Sequence, residues 1–173
     1  VLVGGAAGDR FGIARIFSLG IVIFVAGSLA CAFALTPGLM IAARVVKGVG
    51  AALMVPGSMA MVSRAYPRAE RGRALGLWAA ASTLTTALGP VLGGMFVTWG
   101  GEIGWRLVFA LNLPLGLAAL WLIRGRTPGD VGKPGVRVDL PGGLLATLGL
   151  GMMAWALTEA TAPVWVAPAA LAS

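Results

Sequence analysis

The chain has 173 residues, of which 58% are hydrophobic and 11% are charged, and its net charge is +7. Soluble domains carry about 25% charged residues, so this composition, with a mean hydropathy of +0.92, excludes a water-soluble globule. The sequence has no histidine and one cysteine, which excludes the common zinc sites. Repeated apolar runs of bilayer-spanning length predict an all-α polytopic membrane protein.

Apolar segments follow one another along the whole chain. We predict membrane spans, in order, at 1–7, 16–35, 39–62, 74–98, 106–123, 140–158 and 163–173. The first and last segments are shorter than the roughly 20 residues that a helix needs to cross a bilayer. The chain begins and ends inside apolar runs, so we expect it to be a fragment of a longer protein.

The connections between these segments alternate in charge. Ten of the thirteen basic residues lie in the connections at 8–15, 63–73 and 124–139. They are Arg10, Arg15, Arg64, Arg68, Arg71, Arg73, Arg124, Arg126, Lys133 and Arg137. Cytoplasmic loops of membrane proteins carry such an excess of lysine and arginine. The pattern predicts that these three loops are cytoplasmic, and it explains the positive charge without a nucleic-acid partner.

The first connection contains a charged turn, Gly5-x-x-x-Asp9-Arg10-x-Gly12, with Arg15 beyond it. Its glycines permit a tight turn and a close approach of helices. Asp9 stands where we expect a new helix to begin, a position at which a carboxylate can cap backbone N–H groups. The residues alone leave two interpretations open: a hairpin that only anchors two spans, or a functional element.

The span at 39–62 contains two cations, Arg44 and Lys47. Arg44 lies five residues into the span, about 8 Å along a helix that rises 1.5 Å per residue, and Lys47 lies deeper. A cation inside the bilayer is costly and should face a cavity or a partner. These cations share one helical face with Gly48 and Ala51. We favour a functional role for Arg44 over an arginine that only reaches for the outer surface.

The following span contains a dense cluster, Gly89-Pro90-x-x-Gly93-Gly94. Pro90 removes the helical donor for the Thr86 carbonyl and can bend the helix. Gly89 and Gly93 are four residues apart, a spacing typical of tightly packed membrane helices. The cluster fits either an ordinary kinked packing helix or the mobile helix of a transporter.

Three polar side chains inside apolar spans are candidates for lining a pathway: Thr83, Thr86 and Asn112. Threonine hydroxyls can supply hydrogen bonds near a helix break. Asn112 can equally serve as a hydrogen-bonded link between helices.

Together these motifs resemble the major facilitator superfamily, in particular its fourteen-span drug:proton antiporter branch. The cytoplasmic-loop motif matches at Gly5, Asp9, Arg10, Gly12 and Arg15. The fourth-span motif matches at Arg44, Gly48 and Gly50, and the fifth-span antiporter motif at Gly76, Gly89, Pro90, Gly93 and Gly94. The stretch GWRLVFALNLPLG is similar to the start of that branch's sixth span. The chain departs from the family patterns at Ile13, Ala14, Lys47 and Thr85.

The resemblance implies a partial helical bundle that runs from the end of the second span to the start of the eighth. Residues 1–123 would belong to the N-terminal six-helix bundle, 124–139 would be a cytoplasmic loop, and 140–173 would form additional spans between the two halves. The short loop at 124–139 favours the fourteen-span branch, since twelve-span relatives have a long loop there.

The resemblance also implies a function, proton-coupled efflux of drugs or other amphipathic small molecules across the cell membrane by alternating access. The partners would be that substrate, protons, the bilayer and the C-terminal half of the same protein. No cofactor is expected, because the proton gradient supplies the energy. The alternative is an exporter of a narrow endogenous substrate, such as an amino acid, a siderophore or the cell's own antibiotic. A channel or scaffold is less favoured, and an enzyme is not expected.

The same resemblance implies roles for individual residues. Asp9 and Arg10 would latch the two halves of the transporter and gate its switch. Arg44 would favour the ionised form of a carboxylate, and the Gly89–Pro90 helix would shape the pathway. Lys47 stands in the place of the family's glutamine and would alter coupling or substrate preference. No acidic residue lies in mid-span, so we expect the proton-carrying carboxylate outside this fragment.

Overall fold

The computed structural model describes residues 2–124, 132 and 139–161. These residues form α1 (Leu2–Phe11), α2 (Ile13–Ala32), α3 (Pro37–Ala65), α4 (Arg71–Ala110), α5 (Asn112–Arg124) and α6 (Leu140–Thr161). The described part contains five stretches that are long and apolar enough to cross a bilayer: Ile13–Ala32, Pro37–Ala65, Arg71–Gly101, Ile103–Arg124 and Pro141–Thr158. The predicted all-α membrane fold is confirmed. The predicted span at 163–173 and most of the loop at 124–139 lie outside the described residues.

The chain divides into two units, Val1–Val138 and Asp139–Ser173. The first unit contains α1 to α5. The second contains α6, which begins directly after Asp139. The Asp139 carboxylate accepts a hydrogen bond of 2.9 Å from the backbone N–H of Gly142, so it satisfies one of the N–H groups that a helix start leaves open.

The turn between α1 and α2 consists of one residue, Gly12, whose φ is 105°. Glycine adopts this conformation without the clash that a Cβ atom would cause. Asp9 and Arg10 therefore lie in the last turn of α1. The prediction that Asp9 caps the next helix is wrong, because α2 has Gly12 as its N-cap and no side-chain cap. The short turn leaves no extended stretch in which Asp9 could precede a helix.

The opposite end of α2 is joined to α3 by a short connection that ends at Thr36. The Thr36 hydroxyl accepts a hydrogen bond of 3.2 Å from the backbone N–H of Leu39. Pro37 occupies the first helical position, where its missing N–H costs nothing. These two residues define where α3 begins.

The chain reverses within α4 at Gly101, which has φ 53° and ψ −135°. The stretch WGGEIGWR, expected as a loop between spans, is instead helical on both sides of this glycine. A Cβ at Gly104 would collide with the Phe96 carbonyl oxygen. The backbones of the two arms of the reversal are therefore in direct contact at Gly104, which has no side chain. Two glycines thus shorten the predicted loop to a hairpin corner.

The close approach of α2 and α3 is made by glycines on both helices. A Cβ at Gly20 would lie 2.9 Å from the Gly50 carbonyl oxygen, and a Cβ at Gly27 would lie 2.9 Å from the Lys47 Cα. Small residues allow such backbone contact between membrane helices. Ile21, Ser28 and Cys31 of α2 are buried beside this contact.

Gly50 and Gly48 of α3 provide a matched pair for testing this packing. A Cβ at Gly50 would lie 2.5 Å from the Phe24 backbone nitrogen, whereas a Cβ at Gly48 meets nothing within 4 Å among the described residues. We expect Gly50→Ala to destabilise the protein by about 1–3 kcal/mol through overpacking. Gly48→Ala should be neutral or slightly stabilising.

The measurement is the thermal unfolding midpoint of the purified protein in detergent, expressed from the complete reading frame that encodes this chain. Equal midpoints for the two variants would contradict a backbone contact at Gly50.

Candidate functional site

One end of the first unit carries an ion pair between α1 and α3. Arg64 Nη2 lies 3.6 Å from Asp9 Oδ1, and the two side chains are 52% and 55% exposed. A Cβ at Gly132, within the third basic loop, would collide with the Arg10 carbonyl oxygen. The first basic loop therefore lies beside Arg64 of the second and beside Gly132 of the third. An exposed ion pair of this kind is worth about 0.2–1 kcal/mol.

The glycines of the first motif lie beside this ion pair. Gly5 faces Pro56 of α3, since a Cβ at Gly5 would lie 3.7 Å from the Pro56 Cβ. A cavity between α1 and α3 is lined by Gly5, Asp9 and Gly57, among others. Arg10 lies over the ring of Phe11, 5.1 Å from its centroid, and Arg15 is exposed. The structure thus brings Asp9 to α3, while Arg10 and Arg15 stay at the surface.

A cation–aromatic cluster, formed by Arg44, Lys47, Phe24 and Phe109, lies where α2, α3 and the second arm of α4 meet. Lys47 Nζ is 4.8 Å from the Phe24 ring centroid and 5.0 Å from that of Phe109. Arg44 Cζ is 5.7 Å from the Phe109 centroid. Lys47 lies ten residues after Pro37, about 15 Å along the helix, and therefore lies well inside the span rather than at its end.

The aromatic rings offset only part of the cost of these cations. A cation over a ring gains about 0.5–1 kcal/mol at an exposed site and about 2 when desolvated. A cation at the centre of a membrane helix costs about 2.5–3.5 kcal/mol even on the most lenient scale. The sequence contains no acidic residue between Asp9 and Glu70. Neither α2 nor α3 therefore supplies a counter-charge to the cluster.

Asn112 joins α5 to α2 directly beside the cluster. Its Nδ2 atom lies 3.3 Å from Ser28 Oγ and 3.3 Å from the Phe109 carbonyl oxygen, and donates to both. Ser28 is fully buried. Asn112 thus forms a hydrogen-bonded link between helices, one of the two roles considered for it from the sequence. Through its two hydrogen bonds it connects the Phe109 carbonyl to Ser28 of α2.

Arg106 binds the C-terminal end of α2. Its Nη1 atom donates a hydrogen bond of 2.6 Å to the Ala32 carbonyl oxygen, and its guanidinium stacks over Trp105 at 4.6 Å. Sequence reasoning missed the roles of Arg106 and Phe109. The sequence did contain an indication of these roles. Arg106, Phe109 and Asn112 are spaced three residues apart, and residues at this spacing lie on the same side of a helix.

The antiporter motif on α4 stays apart from the cluster. A Cβ at Gly76, Gly89, Gly93 or Gly94 would meet nothing within 4 Å among the described residues. The hydroxyls of Thr83 and Thr86 donate to the carbonyls of Ala79 and Ser82 on their own helix, at 3.0 and 2.9 Å. Thr85 does the same with Ala81. Pro90 lies inside the helix.

The fold and its charged membrane helices define a multi-pass membrane protein. The sequence pattern of the Major Facilitator Superfamily matches residues 1–172, and the chain belongs to this family. The family resemblance is thereby confirmed, and it indicates a transporter rather than an enzyme.

Three relatives illustrate the similarity. The methylenomycin A resistance protein of Bacillus subtilis (strain 168) is 38% identical over 99% of this chain and 36% of its own length. The multidrug resistance protein Stp of Mycobacterium tuberculosis is 35% identical over 91% of this chain and 29% of its own length. The probable actinorhodin transporter of Streptomyces coelicolor is 34% identical over 96% of this chain and 29% of its own length. The chain thus spans 29–36% of the length of these relatives.

The hydrogen bond between Ser28 and Asn112 can be measured by a double-mutant cycle with Ser28→Ala and Asn112→Leu. Interhelical hydrogen bonds in membrane proteins couple by about 0.6 kcal/mol, and at most about 1.7. We expect a coupling of this size in the free energy of unfolding of the full protein, titrated with SDS in mixed micelles.

Ser82→Ala is the matched control, because the Ser82 hydroxyl bonds the Trp78 carbonyl on its own helix at 2.9 Å. Its effect should add to that of Asn112→Leu without coupling. Additive effects in the Ser28 cycle as well would contradict the link.

Proposed function

We propose that this chain is part of a proton-coupled antiporter that exports amphipathic small molecules across the cell membrane. The observation that carries the proposal is Arg44, a cation within a membrane helix that has no acidic partner on α2 or α3. Membership of the transporter family and relatives named for multidrug and methylenomycin A resistance support it.

Arg44 would act on a carboxylate supplied by another part of the protein. An opposite charge within about 4–6 Å favours the ionised form of a carboxyl group. Arg44 would therefore promote proton release from that carboxylate when it comes close, and allow proton uptake when it moves away. Alternating access would provide the two arrangements, by rocking one half of the protein against the other.

The Asp9–Arg64 pair suits a gate at the cytoplasmic end. Both partners are about half exposed, so solvent screens this pair and breaking it costs little as the helix ends move apart. The uncovered glycine face of α4 would serve as the packing surface along which that helix moves.

A narrow-substrate exporter is the second candidate. Two of the relatives are named for one antibiotic each, methylenomycin A and actinorhodin. Lys47 also favours this candidate, because a second charge beside Arg44 restricts the compounds that can occupy the same space.

The experiment follows ethidium efflux from an efflux-deficient bacterial host that expresses the complete reading frame. The cells carry either the wild-type protein or Arg44→Ala, and efflux is recorded with and without a protonophore. We expect protonophore-sensitive efflux in the wild type and a loss of about tenfold or more in Arg44→Ala, since the coupled carboxylate loses its counter-charge.

Arg68→Ala is the control variant, because it removes one positive charge from an exposed loop position. It should leave efflux unchanged at equal membrane abundance. Efflux that persists in the presence of the protonophore would contradict proton coupling. A wild-type protein that is present in the membrane but moves no ethidium would favour the narrow-substrate exporter.

A further inference from the structure

The cation–aromatic cluster contains two positive charges, whereas the proposed proton coupling involves only that of Arg44. Arg44 and Lys47 both lie over the Phe109 ring, so two cations share one small region within a membrane span. A single carboxylate from elsewhere in the protein would neutralise one of them. The other would remain as a positive charge that attracts a second anion.

The cluster is open enough to receive a ligand. Arg44 is exposed, and Lys47, Phe24 and Phe109 are half-buried in the first unit. The backbone of Lys47 is held against Gly27 of α2, where a Cβ would lie 2.7 Å from the Lys47 nitrogen. The ammonium group is therefore presented from a fixed point on α3, between two aromatic rings.

The chemistry of the cluster matches a particular class of ligand. The planar guanidinium of Arg44 can hold the coupling carboxylate through two parallel hydrogen bonds, which leaves Lys47 for the second anion. The ammonium group of Lys47 acts as a point charge with three donors. The Phe24 and Phe109 rings offer apolar surface to the rest of the molecule.

We propose that this cluster binds the carboxylate of an amphipathic organic acid, and that Lys47 makes the protein select such anions over neutral compounds. The inference rests on the proposed function, because it adds amphipathic organic acids to the compounds that this exporter would carry. The carboxylate of the substrate lies against the Lys47 ammonium group, and the apolar body of the substrate lies along the two rings. Lys47 is the specificity-determining residue.

The test uses two probes with the same apolar body, naphthalene-1-acetate and its neutral amide, naphthalene-1-acetamide. Equilibrium binding of each radiolabelled probe is measured on the purified full-length protein in a neutral detergent. We expect the wild type to bind the carboxylate about tenfold or more tightly than the amide. Lys47→Gln, which restores the family's usual residue, should remove about tenfold of the carboxylate affinity and leave the amide affinity unchanged.

Two variants separate charge from folding. Lys47→Arg keeps the positive charge and should keep most of the carboxylate preference. Arg68→Gln removes one charge from an exposed loop and should change neither affinity. Equal binding of carboxylate and amide by the wild type would overturn the inference, and so would a loss of both affinities in Lys47→Gln.

Anionic lipid is tested in the same assay by adding phosphatidylglycerol as a competitor. Displacement of the carboxylate by phosphatidylglycerol but not by phosphatidylcholine would make the cluster a lipid headgroup site and overturn the inference. Absence of displacement supports a site for the organic acid.

Transport measurements distinguish this inference from the proposed function. If Lys47→Gln abolishes proton-driven ethidium efflux but leaves the carboxylate affinity unchanged, the inference is overturned and the proposed antiporter function stands. Lys47-dependent carboxylate binding by a protein that moves neither ethidium nor the carboxylate in proteoliposomes would support the site and contradict the exporter.

Discussion

The backbone contact between α2 and α3 is the constraint on which the rest of the first unit depends. In a bilayer the surrounding lipid is as apolar as the side chains, so close packing rather than water exclusion holds helices together. Gly20 and Gly50 bring the two backbones into contact, and Gly27 does the same at Lys47. This contact sets the height at which the Lys47 ammonium group enters the space beside Phe109.

The two ends of the bundle are held with unequal strength. At one end the Arg106 guanidinium donates to the terminal Ala32 carbonyl of α2 in a part-buried, charge-assisted hydrogen bond. At the other end Asp9 and Arg64 form an ion pair that solvent screens. Within the described residues, the charge-assisted bond to Ala32 is therefore the stronger of these two contacts.

The turns of this chain were the least predictable part of the fold. Hydropathy located the spans, but it could not show that Gly12 and Gly101 each turn the chain almost alone. Both glycines have positive φ values, a conformation that depends on how the flanking helices pack rather than on local composition. The expected capping role of Asp9 failed for this reason, since the turn was shorter than the polar stretch that suggested it.

The sequence by itself determined the class of protein, the five long apolar spans of the described part and the family to which the chain belongs. These properties follow from local hydropathy, charge and motif spacing, each of which acts along a short stretch of chain. Only the tertiary structure placed Phe24 and Phe109 around Lys47 and joined Asn112 to Ser28, 84 residues apart. The helix crossing at Gly20, Gly27 and Gly50 decides those contacts. A crossing depends on the surfaces of two helices at once, so the periodic pattern of one segment cannot predict it.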